Sequence, residues 1–314
     1  MRRGFMYRRA MSEPASRSDL DRALGFTIPA RHARGRVARL GPALDKILSA
    51  HAYPPAIEAL LAEALTLGAL IGSTLKDAAG QLTLQAQTDN GVIRLLVVDY
   101  RDGELRGYVD YDADRLAAAP AEPTLFALFG KGYLAITFDM ETSSERYQGI
   151  VPLDGDTLAE AAESYFVQSE QIPSVVRVGV RGRHGCIVAG GLFLQHLPEG
   201  EDGRERLHTR LDHPEWEHVA TLGATIADDE LVDPALPLES LLWRLFNEED
   251  EVRVLAATAL SRGCRCDADH ILGVLAKFPA EERRAMADDE GVISVDCKFC
   301  STVFPIRADE LAVP

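Results

Sequence analysis

Apolar residues recur at helical spacing between residues 41 and 77, and the run divides in two. Leu44, Ile47 and Leu48 form one stripe. Pro54-Pro55 then opens a second helix, at a position where proline's missing N–H costs nothing. Ile57, Leu60, Leu61, Ala64, Leu65 and Leu67 carry the helical period on to about Lys76. This second helix is apolar on more than one face, which predicts burial against a sheet or a second subunit. Glu58, Glu63 and Lys76 interrupt it, and the chain has no uncharged apolar run of about 18 residues, so no membrane span is expected.

From Gln81 the period changes to two. Residues 82–87 alternate, Asp89-Asn90-Gly91 supplies a turn that tolerates positive φ, and Val92–Val98 follows as a β-branched strand. Residues 105–109, 133–138 and 145–151 read as further strands, with Gly130-Lys131-Gly132 as a tight turn. Residues 156–169 form an amphipathic helix, and the strand 175–180 pairs with 187–194, where Gly190-Gly191 marks close backbone packing. Helices, strands, a helix and a hairpin predict an α+β domain over 20–204, its antiparallel sheet packed against apolar helices.

The acidic break Pro198–Gly203 ends this domain. Residues 205–262 are expected to be a helical linker. Trp216, Val219, Leu222 and Ile226 mark one short helix over 213–226, and Leu241, Leu242 and Leu245 another over 238–246. Short helices with few apolar anchors must lean on a neighbour, so the linker is read as metastable. In the last unit, 263–314, two helices are predicted at 271–278 and 280–287, then a strand at 292–295. It is too small to build a sufficient core of its own.

Composition narrows the function. With 314 residues, 46% of them hydrophobic, the chain suits two or three domains. A net charge of −16 argues against nucleic acid as the main partner. Arg2, Arg3, Arg8, Arg9 and Arg17 run against the acidic balance, and 1–19 are set aside as a disordered extension. Glu145-Arg146-Tyr147 has no nucleophile and base beside it, and no metalloprotease, hydrolase or P-loop pattern occurs, so no enzyme is predicted.

The cysteines carry the chemistry. Cys186 stands alone and reads as an ordinary small apolar residue. The other four form Cys264-Arg265-Cys266 and Cys297-Lys298-Phe299-Cys300. Four thiolates at about 2.3 Å satisfy a tetrahedral zinc ion and leave no open position. Such metal spacing points to a reducing cytosol rather than a disulfide scaffold. His270 is the one rival ligand; His208, His213 and His218 read as solvated. The CxC half-site is unusual, since ordinary zinc ribbons use two CxxC knuckles.

CxC, thirty residues, then CxxC resembles the redox switch of the thirty-three-kilodalton heat-shock protein family, the redox-regulated holdase chaperones of bacteria. Glu145-Arg146-Tyr147-Gln148-Gly149, Ser169-Glu170-Gln171-Ile172-Pro173, Ala189-Gly190-Gly191 and Leu242-Trp243-Arg244-Leu245 resemble family segments in family order, so the match spans roughly 20 to 310. The resemblance implies an ATP-independent holdase in the bacterial cytoplasm, inactive while reduced and zinc-bound. It implies that oxidation pairs Cys264 with Cys266 and Cys297 with Cys300, ejects zinc, unfolds the linker and exposes apolar surface to unfolding clients. It further implies a homodimer when active and ATP-dependent chaperones that take the clients over. Val303 and Ile306 depart from the expected neighbours of Phe304. Two other readings stand beside this one: a thiol–disulfide oxidoreductase using Cys297 and Cys300, and a constitutive zinc-ribbon interaction protein.

Overall fold

The computed structural model describes residues 19–75, 79–140, 145–197 and 214–308. The expected extension lies outside these residues apart from Asp19, as do His208, His213 and the start of the expected linker. The chain opens with a hairpin, β1 (Arg22–Ile28) and β2 (Ala33–Leu40), joined by a 3-10 turn at Pro29–Arg31. Helices α1 (Pro42–Leu48) and α2 (Pro55–Gly72) follow, with Pro55 in the first turn of α2 as its spacing predicts.

Strands β3 (Gln81–Gln87), β4 (Ile93–Arg101) and β5 (Glu104–Tyr111) form a meander. After short helices α3 (Ala113–Ala117) and α4 (Leu125–Phe129) come β6 (Tyr133–Met140) and β7 (Glu145–Pro152), then α5 (Leu158–Tyr165) with a π-helical turn at Phe166–Glu170. The hairpin β8 (Ser174–Arg181) and β9 (Val188–His196) closes the domain, paired as the alternation predicts. Next are α6 (Pro214–Ala224), α7 (Asp228–Leu231), α8 (Leu238–Phe246), β10 (Arg253–Ala259) and β11 (Ser261–Arg262). The last unit holds α9 (Ala268–Leu275), α10 (Ala280–Met286) and the hairpin β12 (Val292–Asp296) and β13 (Val303–Arg307).

The α+β organisation is as expected, but one expected sheet is two. One has the order β10-β1-β2-β9-β8 and the other β11-β5-β4-β3-β6-β7. Helix α2 lies between them, packed on β4 and β5 on one side and on β2, β8 and β9 on the other. A helix apolar on several faces needs apolar surface on several sides, and two sheets supply it. By length and composition α2 would suffice to cross a membrane; most of it is buried inside the protein. Gly191 faces it, where a Cβ would lie 2.8 Å from Leu70.

Three further differences have physical reasons. Residues 22–40, assigned no element from the sequence, are β1 and β2. Arg34, Arg36 and Arg39 mask the strand pattern, and β2 pairs with the distant β9. The expected helical linker is helical only to Phe246; residues 253–259 form the strand β10, paired with β1. That segment is alanine-rich and mostly exposed, so neither strand propensity nor burial marks it. The linker helices also have more anchors than their sequence suggests. Trp216, Val219, Leu238, Leu241, Leu242 and Phe246 bury against Leu24, Phe26, Val37, Leu192 and Leu194 of the five-stranded sheet. The Phe26 and Phe246 rings lie 5.6 Å apart.

Candidate metal centre

The four clustered cysteines reach one point from two kinds of backbone. Strand β11 runs beside β5, and the Gly263 N–H donates to the Leu105 carbonyl at 2.9 Å. An alternating chain puts residues i and i+2 on one side and the residue between on the other. Cys264 and Cys266 accordingly bring their sulfurs within 3.3 Å, while Arg265 reaches away to Gln81 Oε1 at 2.9 Å. Asp267 then caps α9 by accepting from the His270 N–H.

The second pair sits in the turn between β12 and β13. The Cys297 N–H donates to the Thr302 carbonyl at 2.9 Å and the Ser301 N–H to the Cys297 carbonyl at 2.8 Å. Ser301 takes a left-handed conformation with φ 55°. This tight turn aims the N–H groups of Phe299 and Cys300 at the Cys297 sulfur.

All four sulfurs lie within 4.8 Å of one another, with Cys264–Cys297 at 3.7 Å and Cys266–Cys300 at 3.4 Å. A tetrahedral ion with metal–sulfur bonds of about 2.3 Å needs sulfurs about 3.8 Å apart. The residues present therefore fit a thiophilic metal ion. His270 is not in the converging group, and Cys186 lies exposed in the β8–β9 loop. All five cysteines are free thiols, the four clustered ones half-buried.

The thiols differ in acidity. Burial pushes Cys266 up, and its sulfur neighbours push the same way. Burial also raises Cys297, against the two N–H groups aimed at it. At Cys300 burial is outweighed by the Thr302 hydroxyl and N–H, which donate to its thiolate with help from the neighbouring thiols, and it falls to about 6. Thr302 Oγ1 lies 3.2 Å from that sulfur.

The centre is fixed to the six-stranded sheet by residues the cysteine pattern does not reveal. Asp99 of β4, almost fully buried, pairs with Arg106 at 2.6 Å, accepts from Thr83 at 2.7 Å, and has Arg265 at 3.9 Å. Phe299, inside the CxxC turn, stands edge-on to Tyr108 with ring centroids 5.1 Å apart. The Arg106 guanidinium lies 4.1 Å above the Phe299 ring. Ser301 meets His51 Nδ1 at 3.3 Å. An aspartate inside the run Leu95-Leu96-Val97-Val98-Asp99 was the one available signal, because a charge in a β-branched strand is buried only when paired.

Among the described residues, the local core of the cysteine unit has three buried apolar side chains, Leu275, Ile293 and Ile306, with partly buried ones such as Ile271, Leu272 and Phe304 packed against them. Ile306 is thus an anchor, whereas Val303 is 57% exposed.

Residues 21–307 match the profile of a family described as Hsp33 protein. A 33 kDa chaperonin of Caulobacter vibrioides is 42% identical over 289 residues, covering 90% of this chain and 93% of its own. One from Cronobacter sakazakii is 34% identical, covering 89% of each. The crystal structure of the 33 kDa chaperonin (heat shock protein 33 homolog) of Thermotoga maritima shares the fold. Its TM-score is 0.74 at 23% identity, over 93% of this chain and 96% of that one.

Proposed function

The chain belongs to the Hsp33 family, and from that membership we propose that it is an ATP-independent holdase whose switch is the four-cysteine centre. The observation that carries the reading is the convergence of four free thiols in a unit with almost no core of its own. A bound Zn2+ holds such sulfurs as thiolates and contributes on the order of 10 kcal/mol to folding a small domain.

The chain's own residues set up the rest. Thiolate sulfur is the nucleophile that attacks peroxide, and half-burial leaves these sulfurs within reach. Each cysteine pair gives up two electrons, and with two protons one peroxide becomes two waters as the S–S bond forms. Cys264 pairs with Cys266 and Cys297 with Cys300. Closing both bonds removes all four metal ligands, and three buried apolar side chains do not hold the unit folded. Arg265 and Phe299 then leave their seats on β4 and β5, and β11 loses its support. The linker, joined to the unit through β10 and β11, is released next, exposing the surface around Leu24, Phe26 and Leu192. Unfolding proteins bind there, in the cytoplasm, to a homodimer from which ATP-dependent chaperones take them over.

The oxidoreductase alternative requires a CxxC at a helix N-terminus, where the first thiol is activated. Here the CxxC lies in a β-turn, and its first cysteine, Cys297, is raised rather than lowered.

The test is suppression of thermal aggregation of a labile client without ATP. Peroxide-treated protein suppresses it at near-stoichiometric amounts, and reduced zinc-loaded protein does not. Equal suppression by both forms would remove the switch. Catalytic acceleration of insulin reduction by dithiothreitol would instead establish the oxidoreductase.

A further inference from the structure

One row of residues crosses the five-stranded sheet on the face that carries the linker helices. Arg22 of β1 is opposite Arg39 of β2, Arg39 is opposite Gly190 of β9, and Gly190 is opposite Gly179 of β8. The two glycines make a trench. A Cβ at Gly190 would lie 2.2 Å from the Leu231 carbonyl oxygen, and one at Gly179 would lie 2.9 Å from that of Asp228. Main chain of α7 therefore rests directly on the sheet backbone.

Arg39 closes the end of this trench. It is fully buried, and each of its three guanidinium nitrogens donates to a linker carbonyl: Nε to Leu231 at 2.7 Å, Nη1 to Leu236 at 2.7 Å and Nη2 to Glu230 at 3.1 Å. Two of these oxygens belong to the last turn of α7, where a helix has no partners of its own to offer. Asp19 and Asp233 act on the guanidinium only from further off, so these main-chain oxygens compensate its charge. The surrounding contacts have the same polarity, with arginine on the sheet side and acid on the linker. Arg22 pairs with Glu239, Arg31 with Glu249 at 2.9 Å, and Arg181 with Asp229 at 3.6 Å.

We propose that this row is the docking slot that holds the linker closed, with Arg39 as its latch. At its centre, Arg39 and the two glycines, the slot grips backbone, and every contact in it is non-covalent, so it can release the linker and take it back without any covalent change. The consequence for activity rests on the reading that linker release activates the chaperone.

The test uses the full chain, reduced and zinc-loaded, with hydrogen exchange as readout. Arg39→Met takes the donors from three linker carbonyls, that of Leu231 buried and the other two part-buried, and Gly190→Ala fills the trench from the other side. Exchange in residues 228–246 is expected to rise about tenfold or more in both variants, while α2 stays protected and zinc stays bound. Arg39→Lys, which keeps the charge but not three donors, falls between. Unchanged exchange in 228–246 overturns the slot. Loss of protection throughout, α2 included, in all three variants also overturns it, since Arg39 would then be an ordinary core residue. Client suppression without oxidant is measured alongside. If the linker opens and suppression does not rise, the slot stands and the activation reading fails.

Discussion

Replacing Phe299 by alanine tests whether the cysteine unit is docked on the sheet or merely near it. The perturbation touches no ligand and leaves Arg106 paired with Asp99. The edge contact with Tyr108 is worth about 1 kcal/mol, and the Arg106 contact at a partly exposed site about 0.5–1 kcal/mol. Losing the apolar area of a half-buried ring adds about 1 kcal/mol. Together these weaken docking by about 2.5–3 kcal/mol, or about a hundredfold in the undocked population. The assay is hydrogen exchange of reduced, zinc-loaded protein over 261–266 and 297–302. The Ser261 and Gly263 amides, which donate to the Gly103 and Leu105 carbonyls, report β11 leaving β5. Their exchange should rise by more than tenfold with α2 unaffected, and peroxide should strip zinc faster. Exchange within about twofold of the parent would refute the docking argument.

Other expectations follow from single contacts. Glu63 of α2 accepts from the Leu158 and Ala159 N–H groups of α5, and burial pushes its carboxyl from 4.5 up to about 7. The folded chain then holds a proton that the unfolded chain releases. Stability is full below about pH 4.5 and falls as pH rises to 7, by on the order of 3 kcal/mol. Glu63→Gln should flatten that slope in urea midpoints measured from pH 5 to 8; an unchanged slope contradicts the assignment. A Cβ at Gly149 would lie 2.5 Å from Tyr165 and 3.1 Å from Ser169, so Gly149→Ala should cost about 1–3 kcal/mol in the same assay. Cys266→Ser should lower zinc content below one per chain and raise exchange across 264–307, leaving β1–β9 protected; full zinc occupancy would count against Cys266 as a ligand.

Local patterns made part of this molecule legible in advance. The stripes of α1 and α2, the alternation of β3 and of the β8–β9 hairpin, and the cysteine spacing are properties of short segments. Strands β1 and β2 were not legible, because their arginines have tertiary purposes: Arg39 grips the linker and Arg36 donates to the Ser73 carbonyl at 3.1 Å. Strand β10 was hidden by alanine, and it is ordered by pairing with residues more than two hundred positions earlier. The four sulfurs announced themselves, but their seat did not. Asp99, Arg106, Tyr108 and His51 come from strands and a loop whose meeting with Phe299 and Arg265 depends on the whole fold. Glu145–Gly149, which suggested a motif without a chemistry, lies on the edge strand β7, where Arg146, Tyr147 and Gln148 are exposed and Gly149 admits the Tyr165 ring.

The most direct test of the switch follows zinc with a colorimetric chelator while hydrogen peroxide is added to the warmed protein, with client aggregation recorded in parallel. The account predicts one zinc ion released per chain, on the same time course as suppression appears. Zinc that stays bound, or leaves with no gain in suppression, would contradict it and leave the four-cysteine centre a structural site alone.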